Sequence, residues 1–121
     1  MPEKSTGIMI YHNPACATSR KVLGLLRDAG AAPRVVEYLK NPPNRAEMLG
    51  LLTAMGMTPR QILRRKGSLF GELGLDDPGK TDDQILDALA AHPVLMERPI
   101  VVSPRGTAVC RPPQRVEALL P

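Results

Sequence analysis

The chain has few aromatic residues, few cysteines and few histidines. Among 121 residues there are two tyrosines, one phenylalanine, no tryptophan, two cysteines and two histidines. Two cysteines separated by most of the chain argue against a disulfide framework, and two distant histidines lack metal-ligand spacing. We therefore expect a protein of a reducing compartment that holds no metal and fills its core with aliphatic side chains.

Long hydrophobic runs and concentrated charge are also missing. No apolar stretch approaches the ~18 residues needed to cross a bilayer, and residues 1–7 are polar, unlike a secretory signal. The net charge is +4, and the basic residues neither form a run nor alternate with aromatics. This pattern argues against a nucleic acid or membrane partner but suits a small anion, which needs only a few converging cations. We expect one soluble, cytoplasmic, monomeric domain.

The first forty residues predict a strand, a helix and a second strand. An apolar run at 8–11 precedes the turn signal Asn13-Pro14, and from Ala17 apolar residues recur at helical spacing until Gly30. A second strand is expected at 35–39. This order is typical of a βαβ unit, in which the two strands are parallel.

The rest of the chain predicts a helical insertion followed by a hairpin. Asn44 and Thr81 are placed to cap helices, and Thr58-Pro59 is typical of another helix start. Residues 67–79, with four glycines, are expected to form a loop. Strands at 99–103 and 107–110 flank a turn and form an antiparallel hairpin, and a short helix closes the chain. We thus expect an α/β fold: a four-stranded mixed sheet flanked by helices, with the insertion at about 44–96 of a single domain covering 1–121.

One cysteine lies at the turn between the first strand and the first helix. Here the first backbone N–H groups of a helix have no intrahelical partner, and the helix dipole favours negative charge. Such a position lowers a cysteine pKa and favours the nucleophilic thiolate. The polar neighbours of Cys16 favour this role over that of a small buried hydrophobic residue.

The motif around Cys16 is Cys-x-x-Ser, with Ser19 where a dithiol motif has its second cysteine. No disulfide can close within it, so a covalent intermediate on Cys16 needs a thiol from another molecule. The phosphatase-like spacing Cys-x5-Arg is absent, because valine stands six residues after each cysteine.

Three arginines stand in distinctive contexts, although most arginines are simply solvated. Arg64 follows Ile62-Leu63, Arg98 precedes a predicted strand, and Arg111 follows the next one. A planar guanidinium matches the oxygens of a tetrahedral anion, but spacing along the chain does not show whether the three converge.

Several motifs together resemble the glutaredoxin-coupled arsenate reductase family. They occur in order from about residue 8 to 113: Tyr-His-Asn-Pro-Ala-Cys-x-Thr-Ser-Arg at 11–20, Tyr38-Leu39 before Asn41-Pro42-Pro43, Leu63-Arg64, Leu73-Gly74-Leu75, Thr81-Asp82-Asp83-Gln84, His92-Pro93, Arg98-Pro99-Ile100-Val101-Val102 and Cys110-Arg111-Pro112. The resemblance implies a thioredoxin-like fold, in which Arg98-Pro99 is a candidate for a cis peptide bond; whether this bond is cis stays open in the sequence.

The resemblance also implies an activity and its residues. Cys16 would be the nucleophile that reduces arsenate to arsenite through a thiol–arsenate adduct, and Arg64, Arg98 and Arg111 would bind the oxyanion. Glutathione as co-substrate and glutaredoxin would supply the electrons, with no bound cofactor.

Three further residues each have two interpretations. His12 either holds the thiolate, as imidazolium or hydrogen-bond donor, or anchors the loop. Ser19 either donates to the sulfur or caps the helix. Cys110 is a packing thiol or a resolving cysteine, and its strand context favours packing.

Two other functions are compatible with parts of the sequence. One is a glutathione-dependent thiol reductase of the same superfamily, against which the three arginines speak. The other is an Spx-type redox regulator that binds RNA polymerase, but such proteins use Cys-x-x-Cys as a switch, and Ser19 argues against this.

Overall fold

The computed structural model describes residues 7–121. The prediction that the polar N-terminus is no signal sequence falls almost wholly on residues 1–6, which lie outside the described residues. The described residues fall into two compact units by their contacts: one comprises residues 7–41 and Arg98–Pro121, the other Pro42–Glu97. Within 7–121, no helix has both the length and the hydropathy that a membrane span requires.

The first unit contains a four-stranded mixed sheet, which confirms the predicted fold class. Its strands are β1 (Met9–His12), β2 (Arg34–Glu37), β3 (Ile100–Ser103) and β4 (Gly106–Val109), in the order β2-β1-β3-β4. β1 pairs parallel with β2 and antiparallel with β3, and β3 and β4 form the expected antiparallel hairpin.

Helix α1 (Ala17–Asp28) connects the two parallel strands. It ends where Gly30 adopts a φ of 82°, a left-handed conformation that glycine adopts without steric cost. α1 packs against the closing 3-10 helix, Pro113–Leu119. The core of this unit is aliphatic, as expected: it is built from Ile8, Ile10, Val22, Leu23, Leu26, Ala31, Val101, Cys110, Val116 and Leu119.

The second unit is helical. It contains α2 (Arg45–Met55), α3 (Leu69–Glu72) and α4 (Asp82–Ala91), with 3-10 turns at Pro59–Ile62 and Pro93–Leu95. The predicted caps form: Asn44 and Thr81 each accept a hydrogen bond from the backbone amide three residues on, in a reciprocal capping box.

Three local predictions differ from the structure. Residues 67–79 are not wholly loop, because α3 lies within them. β2 ends at Glu37 rather than residue 39, because the Glu37 carbonyl accepts hydrogen bonds from the amides of Lys40 and Asn41 and turns the chain. The helix expected after Thr58 is only a 3-10 turn.

The peptide bond Arg98-Pro99, which the family resemblance made a candidate for the cis form, is cis. Arg111-Pro112 is cis as well, which the sequence analysis did not predict.

Candidate active site

Cys16 is the N-cap residue of α1, so its side chain lies at the start of that helix. The Cys16 amide donates to the carbonyl oxygen of Asn13 at 3.0 Å, and the Cys16 carbonyl accepts from the amide of Arg20 at 3.0 Å. These two bonds fix the backbone on both sides of the thiol. The residue is partly exposed, so a small solute can reach the sulfur.

The surroundings of Cys16 lower the pKa of its thiol below the ordinary value. Burial is the largest single influence and raises the pKa. The Ser19 amide, the Arg111 guanidinium and the Thr18 amide act in the opposite direction and together prevail. The thiolate fraction at neutral pH is therefore greater than that of a free cysteine, as the position at a helix start predicted.

His12 and Ser19 form a buried pair beneath the loop. His12 Nδ1 lies 2.6 Å from Ser19 Oγ, and this oxygen also accepts a hydrogen bond from the Asn13 amide at 3.1 Å. Burial lowers the pKa of His12, so its imidazole is neutral at neutral pH. The contacts of the Ser19 side chain are thus with His12 and Asn13, while its backbone amide influences Cys16.

Asn13 shapes the loop, a role that the sequence analysis missed. It is 7% exposed, and its Oδ1 accepts a hydrogen bond from the Ala15 amide at 3.0 Å. Together with the bonds of its amide and carbonyl, this side-chain contact ties β1 to the start of α1. The Asn-Pro pair was visible as a turn signal, and the tendency of asparagine to bond a backbone amide two residues on could have indicated this function.

The hairpin brings Arg98 and Arg111 together. Ile100 pairs with Val109, and the Cys110 amide donates to the Pro99 carbonyl at 2.9 Å. Arg111 Nη1 lies 3.1 Å from the Arg98 carbonyl oxygen and 3.8 Å from Cys16 Sγ. One predicted anion ligand therefore contacts the predicted nucleophile directly, and its orientation is set by the backbone of the other.

The Arg98 side chain is almost fully buried, at 5% exposed. Its guanidinium lies over the ring of Tyr38, 5.9 Å from the ring centroid, in a cation–π contact. The aromatic face holds the flat guanidinium in place.

Arg64 lies in the second unit, where Nη1 contacts Glu97 Oε1 at 3.2 Å. Glu97 was not among the site residues predicted from sequence. No local pattern marks it, because the two residues are 33 positions apart. The role of Arg64 as an anion ligand stays a prediction.

Cys110 lies in the core of the first unit and is fully buried. Its Sγ contacts the Ala108 carbonyl oxygen at 3.8 Å, and burial raises the pKa of its thiol to about 11. These properties are those of a packing thiol rather than of a reactive one. Across residues 7–121, no group of three or more His, Cys, Asp and Glu side chains is arranged to hold a metal ion.

The fold and this constellation define a class of protein. The fold is thioredoxin-like, and the thiol at the start of its first helix has a lowered pKa and an arginine beside it. The chain belongs to the ArsC family, whose family model matches residues 11–119.

Similar proteins carry consistent names. An arsenate reductase of Rhizobium meliloti is 54% identical over 114 residues, covering 94% of this chain and 81% of that protein. An arsenate reductase of Escherichia coli K12 is 45% identical over 116 residues, covering 96% and 82% respectively. The structure of an arsenate reductase from Vibrio cholerae superposes with a TM-score of 0.91 at 40% identity, covering 96% of this chain and 99% of that one.

Proposed function

We propose that this protein reduces arsenate to arsenite, with the Cys16 thiolate as nucleophile. The observation that carries the proposal is the Cys16 thiol itself: its pKa is lowered, it begins α1, and an arginine lies 3.8 Å from its sulfur. Relatives named arsenate reductase over nearly the whole chain support the choice of substrate.

In this proposal, Arg111 and Arg98 bind the arsenate anion. An arsenate above Cys16 accepts hydrogen bonds from the Arg111 guanidinium. The positive charge of this guanidinium offsets the repulsion between the anion and the Cys16 thiolate. Arg98 supplies a second, rigidly held guanidinium. The backbone amides in the first turn of α1 are further donors for a tetrahedral oxyanion. Arg64, the third arginine of the family motif, is assigned to the anion by resemblance.

The first chemical step exchanges an oxygen for sulfur on arsenic. The Cys16 thiolate attacks As(V), an S–As bond forms, and one As–O bond breaks, with the departing oxygen protonated to water. Arsenic remains As(V) in this adduct. The arginines stabilise the charge on the remaining oxygens.

The second step reduces arsenic with a thiol from glutathione. The glutathione sulfur attacks the Cys16 sulfur, an S–S bond forms, and the S–As bond breaks with its electron pair left on arsenic, which departs as arsenite, As(III). A glutaredoxin thiolate then attacks the glutathione sulfur of this mixed disulfide and returns Cys16 as thiolate. Two thiols thus supply the two electrons.

Two features of the chain support the need for outside thiols. The position that would carry a resolving cysteine is Ser19, whose side chain is bonded to His12 and Asn13. Cys110 is buried in the core with a raised pKa, so it is a poor attacking thiol. Both observations support glutathione and glutaredoxin as the electron donors, and a donor pool of reduced glutathione supports a cytoplasmic reaction.

Arsenate-dependent NADPH oxidation, coupled through glutaredoxin, glutathione and glutathione reductase, tests this function. We expect turnover with the wild-type chain and none above background with Cys16→Ser, while the matched Cys110→Ser variant keeps its rate. Turnover of a glutathionylated protein without any response to arsenate would instead indicate a thiol reductase.

A further inference from the structure

The ion pair of Arg64 and Glu97 differs from the other arginine–carboxylate pairs of the second unit. Its side chains are only 19% and 31% exposed. Arg45, which pairs with Asp83 and Asp87, is 44% exposed, and its partners are 83% and 76% exposed. Because water screens a partly buried pair less, the contact between Arg64 and Glu97 restricts its arginine more strongly.

The backbone around this pair is also fixed. The Arg64 amide donates to the Leu95 carbonyl at 2.6 Å, and the Glu97 amide donates to the Ile62 carbonyl at 2.9 Å. Between these bonds, Leu63 and Met96 form an antiparallel bridge. This short ladder holds the main chain of both charged residues in one register.

The residues opposite the charged pair anchor the ladder. Arg64 lies opposite Leu95 and Glu97 lies opposite Ile62, and both apolar partners are almost fully buried. The two charged side chains therefore emerge from anchored positions on the same face of the ladder.

We propose that Glu97 is a positioning residue that orients the Arg64 guanidinium for the substrate anion. The inference depends on the proposed role of Arg64. The carboxylate engages Nη1, whereas a guanidinium has five N–H donors in a fixed fork, so an oxyanion binds the others. Holding one corner of the fork removes rotamer freedom that anion binding would otherwise have to remove.

The test compares Glu97→Gln, Arg64→Lys and the double variant, with Asp87→Asn as the matched control. Asp87→Asn also removes a carboxylate partner of an arginine in this unit. We expect Glu97→Gln to raise the KM for arsenate about two- to tenfold, the range that the net free energy of one ordinary hydrogen bond gives. Its kcat should stay within about twofold, because the group acts through binding. The control should leave both constants unchanged.

A second measurement does not depend on turnover. Arsenate, without any thiol donor, should protect Cys16 from alkylation by iodoacetamide. We expect Glu97→Gln to need a higher arsenate concentration for half-protection, by the same factor as its KM. If Glu97 had a purely structural role, the arsenate concentration for half-protection would not change in a variant that circular dichroism shows to be folded.

The double variant separates the possible outcomes. If Glu97 acts through Arg64, adding Glu97→Gln to the Arg64→Lys variant raises the KM for arsenate little further. Equal effects in both backgrounds would overturn the inference, as would a Glu97→Gln enzyme that behaves like the control or binds arsenate more tightly. An Arg64→Lys enzyme with unchanged arsenate affinity would overturn both this inference and the assigned role of Arg64, while the nucleophilic role of Cys16 would stand.

Discussion

His12 Nδ1 and Ser19 Oγ lie 2.6 Å apart in a buried hydrogen bond that joins the end of β1 to the first turn of α1. The bond lies directly behind the loop that carries Cys16, and Ser19 is fully buried. The geometry of the thiol thus depends on a polar contact inside the fold.

Replacing Ser19 by alanine removes the partner of both His12 and the Asn13 amide. We expect the free energy of unfolding to fall by about 1–3 kcal/mol, because two buried polar groups lose their hydrogen bonds. Urea titration measures this loss. Ser68→Ala, at an exposed serine whose side chain makes no capping bond, should change stability by far less. Equal losses in the two variants would contradict the account.

His12 predicts a dependence of stability on pH. Burial lowers its pKa in the folded state below the ordinary 6.5, so the unfolded chain binds a proton more readily. This contribution is complete above pH 6.5 and is lost as the pH falls towards the folded-state pKa. Urea titrations below pH 6.5 should therefore show a flatter dependence for His12→Asn than for the wild type.

The other histidine provides the control. His92→Gln leaves the His12 site intact and should keep the wild-type difference between neutral and acid pH. A His12→Asn variant whose stability falls as steeply with acid as the wild type would show that His12 does not cause the dependence.

Asn13→Ala should slow the reaction of Cys16 with iodoacetamide at neutral pH. Without Oδ1, the Ala15 amide loses its acceptor, and the loop no longer holds Cys16 firmly at the start of α1. We expect a decrease in rate of about three- to tenfold, set by the loss of one hydrogen bond. The exposed Asn41 gives a matched variant, Asn41→Ala, which should react like the wild type. Unchanged reactivity in Asn13→Ala would remove Asn13 from the site.

Arg111→Gln should raise the pKa of the Cys16 thiol, because the guanidinium that stabilises the thiolate is lost. Ultraviolet absorbance of the thiolate against pH measures this change. The thiol of Cys110 has a pKa of about 11, so it titrates at a higher pH than the Cys16 thiol, whose pKa is lowered. Arg105→Gln, a loss of the same charge from the turn of the hairpin, should leave the titration unchanged. A titration in Arg111→Gln that matches the wild type would contradict the assigned electrostatic role.

Local features of the fold were predictable from sequence. The caps at Asn44 and Thr81 and the left-handed glycine after α1 depend on a few neighbouring residues, and the βαβ unit follows from the hydrophobic pattern. The short helix α3 was missed because the four glycines at 67–79 outweigh a brief helical segment.

The site was only partly predictable. Cys16 could be located because a strand-to-helix turn is a local signal. The meeting of Arg98 and Arg111 depends on the register of the hairpin, which places the segment before β3 beside the segment after β4. The hairpin was predicted, but this contact was not. The partnership of Arg64 with Glu97 depends on contacts between distant segments, which no spacing reveals.

The most direct test of the central claim is the intact mass of the protein after reaction with arsenate and glutathione in the absence of glutaredoxin. The mechanism predicts a chain carrying one glutathione, joined to Cys16, which forms only when both arsenate and glutathione are present and disappears when reduced glutaredoxin is added. Release of arsenite without this adduct, or by Cys16→Ser at the wild-type rate, would contradict the account.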